Sequence, residues 1–176
     1  MKNSFSLKPI DTLIKDKSEA KDHLSSMLKF HIKKPLIALF VDKELSELEE
    51  RNLVMIFDGV KDLDATVIVI ADTNSEIFSN VKVMEYNRMN RHYLLEAADI
   101  ALVFDFTDVE ELLANGIIPI SHERPEVADY DPNHETGNAF IYKNTSPWSV
   151  FAALVRAVET FKFPYDWKHI IRQGLI

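Results

Sequence analysis

The sequence has no cysteine, only four glycines, and too few basic residues to balance its acidic ones. Each shortage removes a class of protein. Without cysteine there is no disulfide framework and no thiolate chemistry. The glycines, Gly59, Gly116, Gly137 and Gly174, are too scattered to build a glycine-rich phosphate loop, and no G-x-S-x-G nucleophile elbow occurs. Lys and Arg number 20 against 28 Asp and Glu, a formal net charge of -8 that opposes a nucleic-acid partner, whose phosphates need cationic neutralisation. No apolar run approaches the length of a bilayer span, and MKNSFSLKPIDTLIKDK at the N-terminus lacks the continuous apolar core of a signal peptide. The expectation is a soluble, cytoplasmic protein with neither a nucleic-acid nor a membrane partner.

What is present is 176 residues, 47% hydrophobic, which suits one globular domain with a sizeable core. The stretch 87–121, NRMNRHYLLEAADIALVFDFTDVEELLANGIIPIS, reads as helix, strand, tight turn, helix, strand. Ala98-Asp99 closes a short amphipathic helix, and 100–104 is an apolar run too short for a helix. Thr107-x-x-Glu110 has the form of a capping box ahead of Leu112 and Leu113, and Gly116 ends the helix they lie on. Positions 117–120 are apolar without alternation, the mark of a parallel strand covered on both faces.

From the N-terminus, 1–17 reads as a polar arm with one apolar cluster at Ile10, Leu13 and Ile14. Asp16-x-x-Glu19 opens a helix with Ala20, Leu24, Met27 and Leu28 on one face, and Lys33 and Lys34 mark its exit. Positions 35–41 form the first buried strand. Ser46-x-x-Glu49 is a further capping box, starting a helix with the stripe Leu53, Ile56, Phe57, Val60 and Leu63. Strands follow at 65–71, ending at Asp72, and at 81–86, then at 138–142 after the polar connection 122–136. Ser146 caps a helix with Pro147 at its first position. This alternation predicts an α/β doubly wound, Rossmann-like parallel sheet of about six strands with helices on both faces, ligands being bound outside the strands' carboxyl ends. The domain proper spans 18–162, and 163–176 is an aromatic C-terminal segment with a short helix.

The order of these pieces carries a resemblance. "A-A-D-I-A-L-V", a helix and "N-G-I-I-P-I-S" are followed by Val127-Ala128-Asp129-Tyr130-Asp131-Pro132 and then by Gly137-Asn138-Ala139-Phe140-Ile141-Tyr142. This resembles the C-terminal nucleotide-sugar donor domain of the glycogen and starch synthases, glycosyltransferases of the GT-B fold, in which similar motifs occur in the same order. The similarity extends forward through Asn144-Thr145-Ser146-Pro147 and back to Lys34-Pro35-Leu36-Ile37. It implies a donor-domain fold, nucleotide-sugar chemistry, and a second, acceptor domain that is absent from this chain.

The sequence departs from that pattern where the resemblance places the chemistry. Asp42 and Glu47 stand about where a diphosphate-binding Arg and Lys are expected, with Lys43 as a displaced remnant one residue away. The family's carboxylate loop is shortened to Asp105-Phe106-Thr107-Asp108, and Asp108 reads as part of the next helix's acidic first turn. His122-Glu123-Arg124-Pro125 has no glycine through which a backbone could approach phosphates. The candidate ligand-binding residues are therefore Lys43, Asp72, Asp105, Thr107, His122, Glu123 and Arg124. His122, Glu123, Asp129, Asp131 and His134 are suitable metal ligands by type, but their spacing matches no metal motif, and neither a metal nor a cofactor is expected. No catalytic residue is assigned.

Three readings stand at this point: a degenerate donor-type domain acting as a non-catalytic interaction or regulatory module, a subunit of a split glycosyltransferase completed by a separate acceptor domain, and a nucleotide-sugar binder without turnover. The C-terminal FKFPYDWKHIIRQGLI adds a candidate contact. Pro164 breaks the preceding helix, Asp166 caps a last short one, and Phe161, Phe163, Tyr165, Trp167, Ile170 and Ile171 offer an apolar face to a homodimer or protein partner, unless that helix simply folds onto its own sheet.

Overall fold

Six apolar runs become six strands of one sheet, and all of its pairings are parallel. The computed structural model describes residues 9–72 and 75–175. In chain order the elements are α1 (Ile10–Leu28), β1 (Leu36–Val41), α2 (Glu47–Val60), β2 (Thr66–Ala71), a 3-10 turn (Glu76–Phe78), β3 (Lys82–Glu85), α3 (Arg88–Ala97), β4 (Ile100–Leu102), α4 (Val109–Ala114), β5 (Ile118–Ser121), β6 (Phe140–Ile141), α5 (Pro147–Phe161) and α6 (Pro164–Gly174). The strands lie in the order β3-β2-β1-β4-β5-β6, so the winding reverses between β1 and β4. Outside the carboxyl ends of the strands at such a reversal, connections part to opposite faces and leave a crevice.

The central strand β1 divides two cores by simple alternation. Ile37, Leu39 and Val41 meet Leu53, Ile56 and Phe57 of α2 and Leu154 and Val158 of α5, whereas Leu36, Ala38 and Phe40 meet Leu24 of α1, Leu94 of α3 and Leu112 of α4. β3 and β6 are the edges, and of the four residues of β3 only Met84 is buried. Among the described residues no helix is long and apolar enough to cross a membrane.

Three local expectations need correction. Helix α1 begins at Ile10, not at Asp16: Pro9 precedes it with φ -54, already set for helix entry, and Ile10, Leu13 and Ile14 pack against the sheet's core. Of the arm expected at 1–17, residues 10–17 thus belong to α1 and residues 1–8 lie outside the described residues, and Met27 on α1 faces solvent. At α4 the cap is Asp108, whose carboxylate accepts the Glu111 N–H at 3.0 Å, while Thr107 Oγ1 accepts the Phe104 N–H at 2.9 Å and closes the preceding turn. Lastly, α6 turns its apolar face inward. Trp167, Ile170 and Ile171 are buried in the domain's own core, Trp167 edge-on to Phe161 with ring centroids 5.1 Å apart. Burying the two isoleucines stabilises by about 1.5–3 kcal/mol each, enough to fix the helix against the sheet. Asp166 does not cap that helix but accepts the Tyr130 hydroxyl at 2.8 Å, and Phe163 and Tyr165 remain exposed.

The amino edge of the sheet is held by a buried charged cluster. Asp99, at the entry to β4, accepts the Lys21 ammonium at 2.7 Å on one oxygen and the Leu36 N–H at 2.8 Å on the other, and its own N–H donates to the Leu36 carbonyl at 2.9 Å. One carboxylate thus joins α1, β1 and β4. Lys17, one turn before Lys21, donates to the Ala98 carbonyl at 2.6 Å, and burial pushes its ammonium down to about 7. Gly116 passes beneath with φ +65, where a Cβ would lie 2.7 Å from Leu13 Cδ2.

Candidate functional site

The carboxyl edge is formed by the turns that follow each strand, and two depressions open there. The first lies between the β1–α2 turn and the end of β2, where Lys43 faces Asp42, Glu44, Glu50 and Asp72. One ammonium among four carboxylates leaves this hollow strongly negative. Start-of-helix donors offset little of that, because a capping box takes up two of them. Ser46 Oγ accepts the Glu49 N–H at 3.2 Å, and the Glu49 carboxylate accepts the Ser46 N–H at 2.7 Å. With Glu47, Glu49 and Glu50 in its first turn, the positive end of the helix dipole is already matched by the chain's own carboxylates.

The second depression is a pocket of about 380 Å³ between the start of α2, the ends of β4 and β5, and the segment from Tyr142 to Thr145. Its walls are apolar, with Leu48, Leu53, Ile56, Phe104 and Val150, and its mouth carries Asp105, His122, Asn52 and Tyr142. His122 Nε2 lies 3.8 Å from Asp105 Oδ1. Burial raises the Tyr142 phenol above its ordinary range, and the negative field of Asp105 adds to the rise.

The structure splits the seven candidates. Lys43 and Asp72 share the first depression, and Asp105 and His122 the second. Thr107 serves the turn after β4, and Glu123 is exposed and borders neither hollow. Arg124 folds back, its Nη1 donating to the Phe104 carbonyl at 3.4 Å and its Nε lying 3.7 Å from Glu126, so it ties the β4 and β5 exits together. The five residues weighed as metal ligands do not converge. Asp129 is engaged by Arg156 at 3.0 Å and by the Ile141 N–H at 2.8 Å, and Asp131 by His134 at 2.6 Å, a contact that holds the Asp131 carboxyl below its ordinary value. Tyr142, Asn52 and Leu48 were missed. Tyr142 was within reach of sequence reasoning, as the last residue of a predicted strand whose carboxyl end faces the crevice; the other two look like ordinary helix surface.

Sheet order, helix placement and crevice define an α/β, doubly wound, Rossmann-like domain. Comparison with known proteins specifies the resemblance. No family model matches the chain. It is similar to glycogen synthase 1 of Synechocystis, at 28% identity over 104 residues, and to the glycogen synthase of Syntrophotalea carbinolica, at 31% over 67 residues. These alignments take in 54% and 36% of this chain but only 22% and 14% of the two relatives. Among solved structures, the catalytic domain of starch synthase IV from Arabidopsis thaliana, bound to ADP and acarbose, superposes with a TM-score of 0.74 at 16% identity, over 99% of this chain and 41% of that one. The chain is thus a glycogen/starch-synthase-like domain that spans less than half the length of the proteins it resembles.

Proposed function

We propose that this domain has no independent transferase activity and acts as a non-catalytic interaction or regulatory module. The observation that carries this reading is the sign of the field at the carboxyl edge: Asp42, Glu44, Glu50 and Asp72 surround Lys43, and α2 caps itself. A nucleotide diphosphate is held by charge-assisted hydrogen bonds worth about 1.5–3 kcal/mol each. Losing two of them weakens a micromolar dissociation constant to about millimolar, before any repulsion by the acidic turn is added. Sugar transfer also needs electrostatic groups placed in advance around the leaving diphosphate, and carboxylates there act in the wrong direction.

Calorimetry with ADP-glucose and UDP-glucose tests this directly, alongside an assay for glucosyl transfer to a glucan acceptor. No saturable heat at low micromolar concentration and no transfer are expected. A low-micromolar dissociation constant for either nucleotide sugar would overturn the reading.

A further inference from the structure

At the amino edge, the ends of α1 and α2 and the starts of β2 and β3 enclose an open depression of about 780 Å³. Lys29, His31, Lys33, Lys61 and Lys82 line it and no carboxylate does, in a chain whose formal net charge is -8. Among them lie the partly exposed apolar side chains of Phe30, Leu63 and Val81. The cations sit on structured turns. Lys29 closes α1 with φ 50, a left-handed conformation that favours glycine, and its N–H donates to the Ser25 and Ser26 carbonyls. The Lys33 N–H donates to Thr66 Oγ1 at 2.7 Å, and the Lys82 ammonium lies 5.8 Å from the centre of the Phe30 ring. At the rim, Asp64 stands 3.8 Å from the Lys33 ammonium and Asp58 2.9 Å from that of Lys61, while Asp62 is exposed outside the lining. Among the described residues, Lys29 and Lys82 have no carboxylate within ion-pair distance. The negative ends of α1 and α2, each about half a charge, offset only part of the four ammoniums.

We propose that this depression docks a short acidic segment of a protein partner, whose Asp and Glu side chains meet the lysines while an apolar side chain rests on Phe30, Leu63 and Val81. Charge complementarity selects the occupant, since four ammoniums around one apolar floor attract and orient carboxylates. Geometry limits its size. A nucleic acid or an anionic bilayer spreads its charge over a broad surface and meets the carboxylates of the rest of the chain, whereas a short segment engages the depression alone. A second copy of this chain offers its clustered carboxylates in the hollow around Lys43, and two hollows do not interlock. The inference rests on the reading of the domain as an interaction module and names its class of partner.

The probe is a short fluorescein-labelled peptide of Asp and Glu around a central Leu-Phe pair, read by fluorescence anisotropy against the full chain. Saturable binding that weakens as salt rises is expected. Exchanging the Leu-Phe pair for two serines is expected to weaken it about fivefold or more. Lys29→Gln with Lys82→Gln is expected to weaken it about tenfold or more. Lys15→Gln with Lys143→Gln removes the same charge from exposed lysines outside the depression and is expected to leave binding unchanged. Circular dichroism checks the fold of both variants; if the first unfolds, Lys33→Gln with Lys61→Gln, both exposed, carries the same test. Equal loss in the variants inside and outside the depression, or equal binding of the serine peptide, means diffuse charge attraction and overturns the proposal; so does an absence of binding. Tighter binding of single-stranded oligodeoxythymidylate or of phosphatidylserine vesicles than of the peptide would make a phosphate polyanion the occupant and overturn it too. Nucleotide-sugar calorimetry on the parent and on the Lys29/Lys82 variant keeps the two readings apart. A low-micromolar isotherm common to both defeats the non-catalytic reading alone, one lost in the variant makes the nucleotide the occupant and overturns the present proposal, and a peptide failure leaves the non-catalytic reading standing.

Discussion

Replacing Lys17 with methionine should make the protein more stable at neutral pH and remove part of its pH dependence. The ammonium is buried at the amino edge, and desolvation lowers its pKa from 10.5 to about 7, with Asp99 opposing the shift and Lys21 adding to it. Because the folded pKa lies below the unfolded one, unfolding takes up a proton anywhere between about 7 and 10.5. Stability therefore rises with pH through that window, and the full penalty applies below it. The gap corresponds to about 5 kcal/mol at roughly 1.4 kcal/mol per unit, an upper figure. Against this, methionine loses the hydrogen bond to the Ala98 carbonyl at 2.6 Å, which costs about 1–3 kcal/mol when the acceptor is left unpaired. A net gain of about 2–4 kcal/mol is expected at pH 7, shrinking towards zero and then reversing as pH approaches 10. Urea unfolding of both proteins at several values between pH 6 and 10 measures this, and the difference between them cancels the titration of all other groups. Parallel stability curves across that range would refute the claim that Lys17 is the titrating group.

Two further changes separate the two edges of the sheet. Asp99→Leu leaves Lys21 buried without its partner and strips the Leu36 N–H of its acceptor, so a loss of about 3–5 kcal/mol is expected in urea unfolding; a loss below 1 kcal/mol would show that the clamp is dispensable. Asp42→Arg with Glu47→Lys changes only exposed positions at the carboxyl edge, so the unfolding midpoint should barely move while ADP binding tightens relative to the parent protein. An unchanged ADP isotherm would mean that charge at this edge does not set phosphate affinity.

Particular residues explain why much of the fold was legible in the sequence and much of the site was not. The runs at 36–41, 66–71 and 118–121 are apolar without alternation because each is covered on both faces, a condition that leaves its mark in the residues themselves. The Ser46–Glu49 capping box is equally local, and both of its hydrogen bonds are present. Asp99 gave only half of its signal. A carboxylate between two alanines and a buried strand demands a partner, but Lys21 is 78 positions away, and no spacing rule reaches that far. For α6, periodicity disclosed the apolar face of Trp167, Ile170 and Ile171 without saying what covers it, and the answer was the domain's own core. Arg124 carries a related lesson: a guanidinium beside a crevice looks like an anion ligand by type, and only the fold discloses its contact with the Phe104 carbonyl.

The placement of the stabilising groups explains how such a domain can keep its architecture while the chemistry at its crevice changes. Lys17, Lys21, Asp99 and Gly116 all gather at the amino edge, where the helices α1 and α3 meet the starts of β1 and β4. Trp167, Ile170 and Ile171 lock α6 beneath the sheet, and both cores lie between layers. By contrast, Asp42, Lys43, Glu44, Asp72 and Asp105 are exposed side chains on turns beyond the carboxyl ends, and Glu47 is exposed at the start of α2. Substitutions there alter the field over the crevice by several carboxylates yet remove no buried contact, so their effect on stability is small. The fold and the binding edge are therefore energetically almost separate. A lineage that exchanged cations for carboxylates at this edge would lose phosphate affinity at once while retaining the sheet intact.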